Sequence, residues 1–343
     1  MNNLPAHKDI LNKPSFVICL KRNKVRFEYT KKLLNKAGFT NVHPFEAVDA
    51  VMAKDSKDEW YHQIRPWGEM FGTPFSKNKN GNWHTGSGGQ FGMTMSLLKL
   101  WGALAISNKN GLMIFEDDAL PRPDFPEIFP KFWNAIEEDD TDMVYIGSQI
   151  HPNNIENDLS SNGYYVKSHA QCMHAHYITK KGAKKILDLM PHISEMRLRS
   201  FRDKGEIDMD FGPIDTLLTQ VTRKDGLKNE FEKYNITDAE IPDFKCIAFV
   251  GDKEPVKGEF DGAIWEGRAD GIIHQNGDLA SNIHGLDPAR MRKEKETAES
   301  GKDVFHDGIF KVNPKTGEGY IADIAVDDNN QATYDCYGKG QDK

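Results

Sequence analysis

The run Leu112-Met113-Ile114-Phe115-Glu116-Asp117-Asp118 decides how this chain is read. Four consecutive apolar residues suit a central strand of a parallel sheet, buried on both faces. Three carboxylates follow without a spacer. In open α/β sheets ligands bind beyond the carboxyl ends of the strands, so the triplet stands where a site is expected. Adjacent acids repel one another. A hard divalent cation with oxygen ligands relieves that repulsion and keeps positions open for substrate phosphates. The plainer use of such a triplet is a solvated acidic turn capping the next helix.

Working outward, Met93, Leu97, Leu100, Trp101 and Leu104 recur at helical steps and predict a long helix over residues 90–107. Before it, Gly86-Ser87-Gly88-Gly89-Gln90 could offer backbone N–H groups of Gly88 and Gly89 to a phosphate at the helix start, or serve only as a hinge. It is not a dinucleotide fingerprint, because Phe91 replaces a third glycine and no strand precedes it. Residues 49–89 are too long for an ordinary loop, and Trp60, Trp67, Trp83 and His84 there could stack on a sugar or base, or simply pack together.

Nearer the N-terminus, Phe16-Val17-Ile18-Cys19-Leu20 reads as a strand. Val25, Tyr29, Leu33 and Ala37 then mark a helix ending before Gly38, and residues 42–45 a second strand beside the first. Downstream, residues 143–146 predict a strand. Thr179 reads as an N-cap, with Ala183, Ile186, Leu187 and Met190 forming a helix that stops at Pro191. Ile214, Leu217, Leu218 and Val221 mark another helix, and residues 245–250 another strand. Residues 287–303 are almost wholly charged, as in a linker or solvated helix. The turn signal Asn313-Pro314-Lys315-Thr316-Gly317 suggests that residues 304–343 form a small β appendage.

The 343 residues are 38% hydrophobic and 28% charged, enough for one large α/β domain with an addition. Lys and Arg number 44 against 52 Asp and Glu, a formal charge of -8, so no global basic field attracts nucleic acid or anionic membrane. Cys19, Cys172, Cys246 and Cys336 lie far apart, which argues against paired-thiolate zinc and a disulfide scaffold. The polar N-terminus and the absence of an apolar run of roughly 20 residues predict a soluble, cytoplasmic protein without a transmembrane segment.

Several motifs, in order, resemble glycosyltransferase family 25, the lipooligosaccharide and collagen galactosyltransferase group. They are Val17 to Leu20 with Arg26, Ala47-Val48-Asp49-Ala50, Gly92-Met93-Thr94-Met95-Ser96, and Phe115-Glu116-Asp117-Asp118-Ala119 followed by Phe125. Tyr177-Ile178-Thr179-Lys180-Lys181-Gly182-Ala183 and Pro213-Ile214-Asp215 continue the series. The family often carries a histidine after the helix serine, where this chain has Leu97.

The resemblance implies an α/β fold of the GT-A type, a Rossmann-like nucleotide-diphospho-sugar transferase over residues 14–286, with a nucleotide-sugar half (14–150) and an acceptor half (151–286). It implies transfer of a hexose from a nucleotide sugar, UDP-hexose first, to a glycan or other hydroxyl acceptor, by inversion. Asp118 would bind Mn²⁺ or Mg²⁺, with Glu116 or Asp117 on metal-bound water or the donor ribose, and Arg26 and Asp49 belong to the donor side. Asp215 is the candidate base, with Asp208 and Asp210 as rivals. A late histidine, His274 or else His284, would return to the metal. Lys180, Lys181, Lys184 and Lys185, with Arg197, Arg199, Arg202 and Lys204, raise a second possibility, a transferase acting on hydroxymethylated DNA bases. A third is a carbohydrate-binding relative without turnover.

Overall fold

The computed structural model describes residues 4–21, 24–48, 87–122, 124–136, 140–150, 152–204 and 214–251, and beyond them a series of short strands. Helix α1 (His7–Asn12) leads into strand β1 (Ser15–Cys19), helix α2 (Lys24–Lys36) and strand β2 (Val42–Glu46). Helix α3 (Ser87–Ile106), strand β3 (Gly111–Glu116), strand β4 (Ala119–Pro121) and helix α4 (Phe125–Ile136) follow. Next come strand β5 (Met143–Ile150), helix α5 (Pro152–Asp158), strand β6 (Tyr165–Val166) and strand β7 (Gln171–Thr179). Helices α6 (Lys180–Lys204), α7 (Ile214–Thr222) and α8 (Lys224–Lys233) precede strand β8 (Cys246–Phe249).

Apart from β4, these strands build one sheet in the order β2-β1-β3-β7-β5-β8-β6. β1 lies parallel to both β2 and β3, as a strand–helix–strand crossover requires. The sheet is mixed where the sequence suggested a parallel one, because β7 enters antiparallel between β3 and β5. The apolar run in β3 is explained by burial on both faces. Leu112 and Ile114 join the core formed with α3, α6 and α7, while Met113 and Phe115 join the aromatic core under α2 and α4. On that second side Phe39 meets Phe115 edge-on at 5.0 Å and Phe125 stacks on Phe129 at 4.8 Å. The layers are helix, sheet, helix.

Two sequence readings change here. Helix α6 does not stop at Pro191 but runs through it to Lys204. A proline costs one helical hydrogen bond, but Ile193 and Met196 continue the buried stripe into the core beyond it. Helix α3 begins at Ser87, so Gly88 and Gly89 belong to its first turn rather than to a preceding hinge. Thr179 caps α6 as expected, its Oγ1 accepting the Gly182 N–H at 3.0 Å.

The late strands are β9 (Gly258–Phe260), β10 (Ala263–Trp265), β11 (Ala269–Asp270) and β12 (Ile273–Gln275). β9 pairs with β10, β11 with β5, and β12 with β4. In the C-terminal part, β13 (Val304–Phe305), β14 (Phe310–Val312) and β15 (Gly319–Ile321) form an antiparallel sheet. β16 (Ala325–Val326) pairs with β17 (Ala332–Thr333), so this part is β-containing as expected. The charged segment 287–303 lies outside the described residues.

Candidate active site

The acidic triplet closes β3 at its carboxyl end, where Asp117 and Asp118 turn the chain into β4. Both side chains are buried, Asp118 to 4% exposure. Their counter-charge comes from α2, whose Arg26 is 1% exposed. Its Nη2 lies 2.7 Å from Asp117 Oδ1 and 3.7 Å from Asp118 Oδ2. One helical turn later the Thr30 hydroxyl donates to the Asp117 carbonyl at 2.7 Å. Arg26 and Thr30 share a face of α2 because they are four residues apart, and together they fix the turn.

Arg26 opposes the crowding of charge at Glu116 without cancelling it. The Glu116 carboxyl is pushed well above the usual carboxylate range, first by burial and then by the charges of Asp118, Asp117 and Asp215, with Arg26 opposing. Asp215 is thus brought to the triplet from a residue about a hundred positions later in the chain. It sits in the first turn of α7, with Oδ2 accepting from the Cys172 N–H at 3.2 Å and Oδ1 from the Thr216 N–H at 2.9 Å. Cys172 has φ of 56°, a left-handed conformation uncommon for a residue with a side chain. Burial, followed by the Asp117 charge, raises the Cys19 thiol at the end of β1 to about 12, so it stays protonated and is no thiolate ligand.

Other motifs converge on the same edge. The Ser96 hydroxyl, buried in α3, accepts from the Val48 N–H at 2.9 Å and donates to the Gly92 carbonyl at 2.6 Å. The Ala47 N–H donates to the Cys19 carbonyl at 2.8 Å. The chain is therefore anchored immediately before Asp49, which itself lies outside the described residues together with Asp208, Asp210, His284, Trp60, Trp67, Trp83 and His84. His274 stands on β12, paired in register with Leu120, two residues beyond Asp118.

Among the described residues no group of three or more His, Cys, Asp or Glu side chains is arranged to hold a metal by itself. The donor set nevertheless fits a hard divalent cation. It is all oxygen and carries excess negative charge, and Mg²⁺-type sites commonly use one or two carboxylates completed by water and substrate phosphates.

Several residues of the basic clusters have partners within the protein. Lys180 Nζ donates to the Ser107 carbonyl, Lys181 Nζ lies 2.6 Å from Asp140, and Lys185 Nζ bonds Asp142 at 2.6 Å and the Asp243 carbonyl. Arg197 is buried, and Arg199 bonds Glu195 at 2.8 Å and the Tyr234 carbonyl at 2.5 Å. Lys184 and Arg202 stay exposed, so the basic residues divide between internal partners and solvent.

His174 and His176, both buried on β7, were not singled out by sequence. Their alternation with Ala175 and Tyr177, which join the opposite core, is the signal that could have placed both on one face. His174 Nε2 lies 2.7 Å from the Ile273 carbonyl. Burial lowers the His176 imidazole to about 4, partly offset by its hydrogen bond with the Met173 carbonyl. A depressed folded value means the unfolded chain takes up the proton first. Stability is therefore full above pH ~6.5 and falls as the pH drops toward about 4, by roughly 3 kcal/mol for this group. Melting temperatures measured across that range should fall less steeply for His176→Leu than for the unaltered protein; equal slopes would reject the assignment.

The model of glycosyltransferase family 25 (LPS biosynthesis protein) matches residues 12–200, and the chain belongs to that family. It is a glycosyltransferase, and its sheet flanked by helices is the α/β fold expected of it. No curated protein matches it in sequence. Among solved structures, apo mouse xyloside xylosyltransferase 1 aligns over 70% of this chain and 85% of its own at 13% identity, with a TM-score of 0.30. Among the described residues no helix is long and apolar enough to cross a membrane.

Proposed function

We propose that the enzyme moves a hexose from a nucleotide sugar, UDP-hexose first, to a hydroxyl of a glycan or similar acceptor, with inversion and with the help of Mn²⁺ or Mg²⁺. The observation that carries this reading is the gathering of Glu116, Asp117, Asp118 and Asp215 with the buried Arg26, the three aspartates raising the Glu116 carboxyl. When bound, the cation would neutralise the donor diphosphate and the charge that develops on the departing nucleoside diphosphate. Asp118 and Glu116 are its carboxylate ligands in this reading, with His274 as the third; the backbone pairing of His274 with Leu120 supports that choice. Asp117, held by Arg26, keeps the turn in shape and leaves its neighbours to the cation. Arg26 thereby serves the donor side through the carboxylates. The first turn of α3, with Gly88 and Gly89, and the Asp49 segment anchored by Ser96 complete the donor side.

Asp215 takes the acceptor proton. It is a carboxylate steered by two backbone N–H groups and directed toward the triplet's field. Residues 14–286 form the transferase unit, and 304–343 a separate addition. Cys19 and Cys246 are buried, and a reducing, cytoplasmic setting is the one this reading expects.

A thermal-shift screen of nucleotide sugars with Mn²⁺ tests the donor, since a donor that binds only the folded state raises the melting temperature by mass action. One UDP-hexose should stand out, and Asp215→Asn should keep that shift while transferring sugar about a hundredfold more slowly. Absence of a shift for every nucleotide sugar would remove the reading. A shift with simple sugars alone would instead indicate a binding relative without turnover.

A further inference from the structure

The end of the sheet near the triplet is crossed by a strap that arrives late in the chain. Residues 269–270 pair with β5 at Ile150 and Gln149, and residues 273–275 then pair with β4 at Pro121, Leu120 and Ala119. The short pairing with β4 offers few backbone hydrogen bonds to hold it. A buried side chain supplies an additional tie. His174, 1% exposed on the central strand β7, has Nε2 2.7 Å from the Ile273 carbonyl. Because the partner is a carbonyl, Nε2 carries the proton and donates. Ile273 itself is fully buried, so its carbonyl has lost water as an alternative partner.

The neighbouring backbone is shaped for this contact. Pairing of β5 with β7 shifts register between Tyr145 and Gly147 and again between Gly147 and Gln149. A bulge of this kind re-aims strands and is common beside active sites. A Cβ on Gly147 would lie 2.6 Å from His174 Cδ2 and 2.6 Å from the Ile273 carbonyl oxygen, so only glycine lets strap, bulge and imidazole meet.

We infer that His174 is a positioning residue that latches strand β12 to the sheet and thereby holds the segment bearing His274 against β4, which follows the acidic triplet. Its structural consequence stands on geometry alone; its consequence for transfer rests on the metal-dependent reading above. Removing the donor frees residues 269–275 from the sheet while the strands beneath keep their own pairing.

The test is hydrogen exchange by mass spectrometry on the full chain, with sugar transfer measured on the same samples, for His174→Leu and His174→Gln. Glutamine places an amide donor close to the position of Nε2, whereas leucine fills space without donating. In His174→Leu, amides of residues 269–275 should exchange about tenfold faster while those of β3 and β7 are unchanged. Transfer should fall about a hundredfold, and His174→Gln should restore much of both. Unchanged exchange in the strap, faster exchange across the whole sheet, or loosened exchange with unaltered transfer would each overturn the proposal. If the unaltered protein transfers no sugar, the exchange data still decide the latch and the failure belongs to the functional reading.

Discussion

Asp118→Asn is expected to lower Mn²⁺-dependent hydrolysis of the UDP-sugar donor by about a thousandfold, with the protein still folded. The two halves of that expectation have separate causes. Asp118 is the triplet's deepest carboxylate, and its distance to Arg26, 3.7 Å, leaves the closer 2.7 Å pairing to Asp117. Neutralising Asp118 therefore removes the proposed cation ligand without breaking the pair that fixes the turn. It also removes the largest charge acting on Glu116, whose carboxyl should return toward its ordinary range. Urea midpoints should accordingly be unchanged or slightly higher than in the unaltered protein. Hydrolysis at the unaltered rate would sink the metal assignment, and a protein that no longer folds would show that Asp118 is instead part of the structural pair.

Replacing the arginine should do the reverse. Arg26→Met keeps most of the packing volume of the side chain but leaves Asp117 and Asp118 buried without their guanidinium. Breaking a buried pair on one side costs about 3 to 5 kcal/mol, because the remaining charge is uncompensated. The loss should appear as a lowered urea midpoint at an unchanged slope. The double variant Arg26→Met with Asp117→Asn should recover a large part of it, since the two residues act on each other. A loss below about 1 kcal/mol would place Arg26 among the weak pairs typical of exposed surfaces, at odds with its 1% exposure.

The sequence made the centre of the fold legible because the physics there is local. An apolar run with acids at its end announces a buried strand and a charged rim, and β3 with its triplet is that. Helices with a regular stripe, such as α2 and α7, were found for the same reason. The antiparallel entry of β7 was not readable, since His176-Tyr177-Ile178 is apolar enough for either direction and only its neighbours fix it. Pro191 misled because its local cost was outweighed by burial of Ile193 and Met196 further along.

The site divides in the same way. Glu116, Asp117 and Asp118 are contiguous and could be seen from composition at one place in the chain. Arg26, Thr30 and Asp215 meet them only in space, so Arg26 and Asp215 were reached through motif resemblance and Thr30 not at all. His174 and Gly147 were missed because their importance lies in a contact with Ile273 about a hundred residues away. The lysines of α6 are a further case, because Asp140 and Asp142, just before β5, pair with Lys181 and Lys185 in a way the helix sequence does not show.

The central claim is that an acidic protein grips a nucleoside diphosphate through a cation at Asp118. Calorimetric titration of UDP into the protein, with and without Mn²⁺, tests it most directly. The account predicts binding with Mn²⁺, little or none after chelation, and loss of the Mn²⁺-dependent binding in Asp118→Asn. Equal UDP binding with and without Mn²⁺, undiminished by Asp118→Asn, would contradict it.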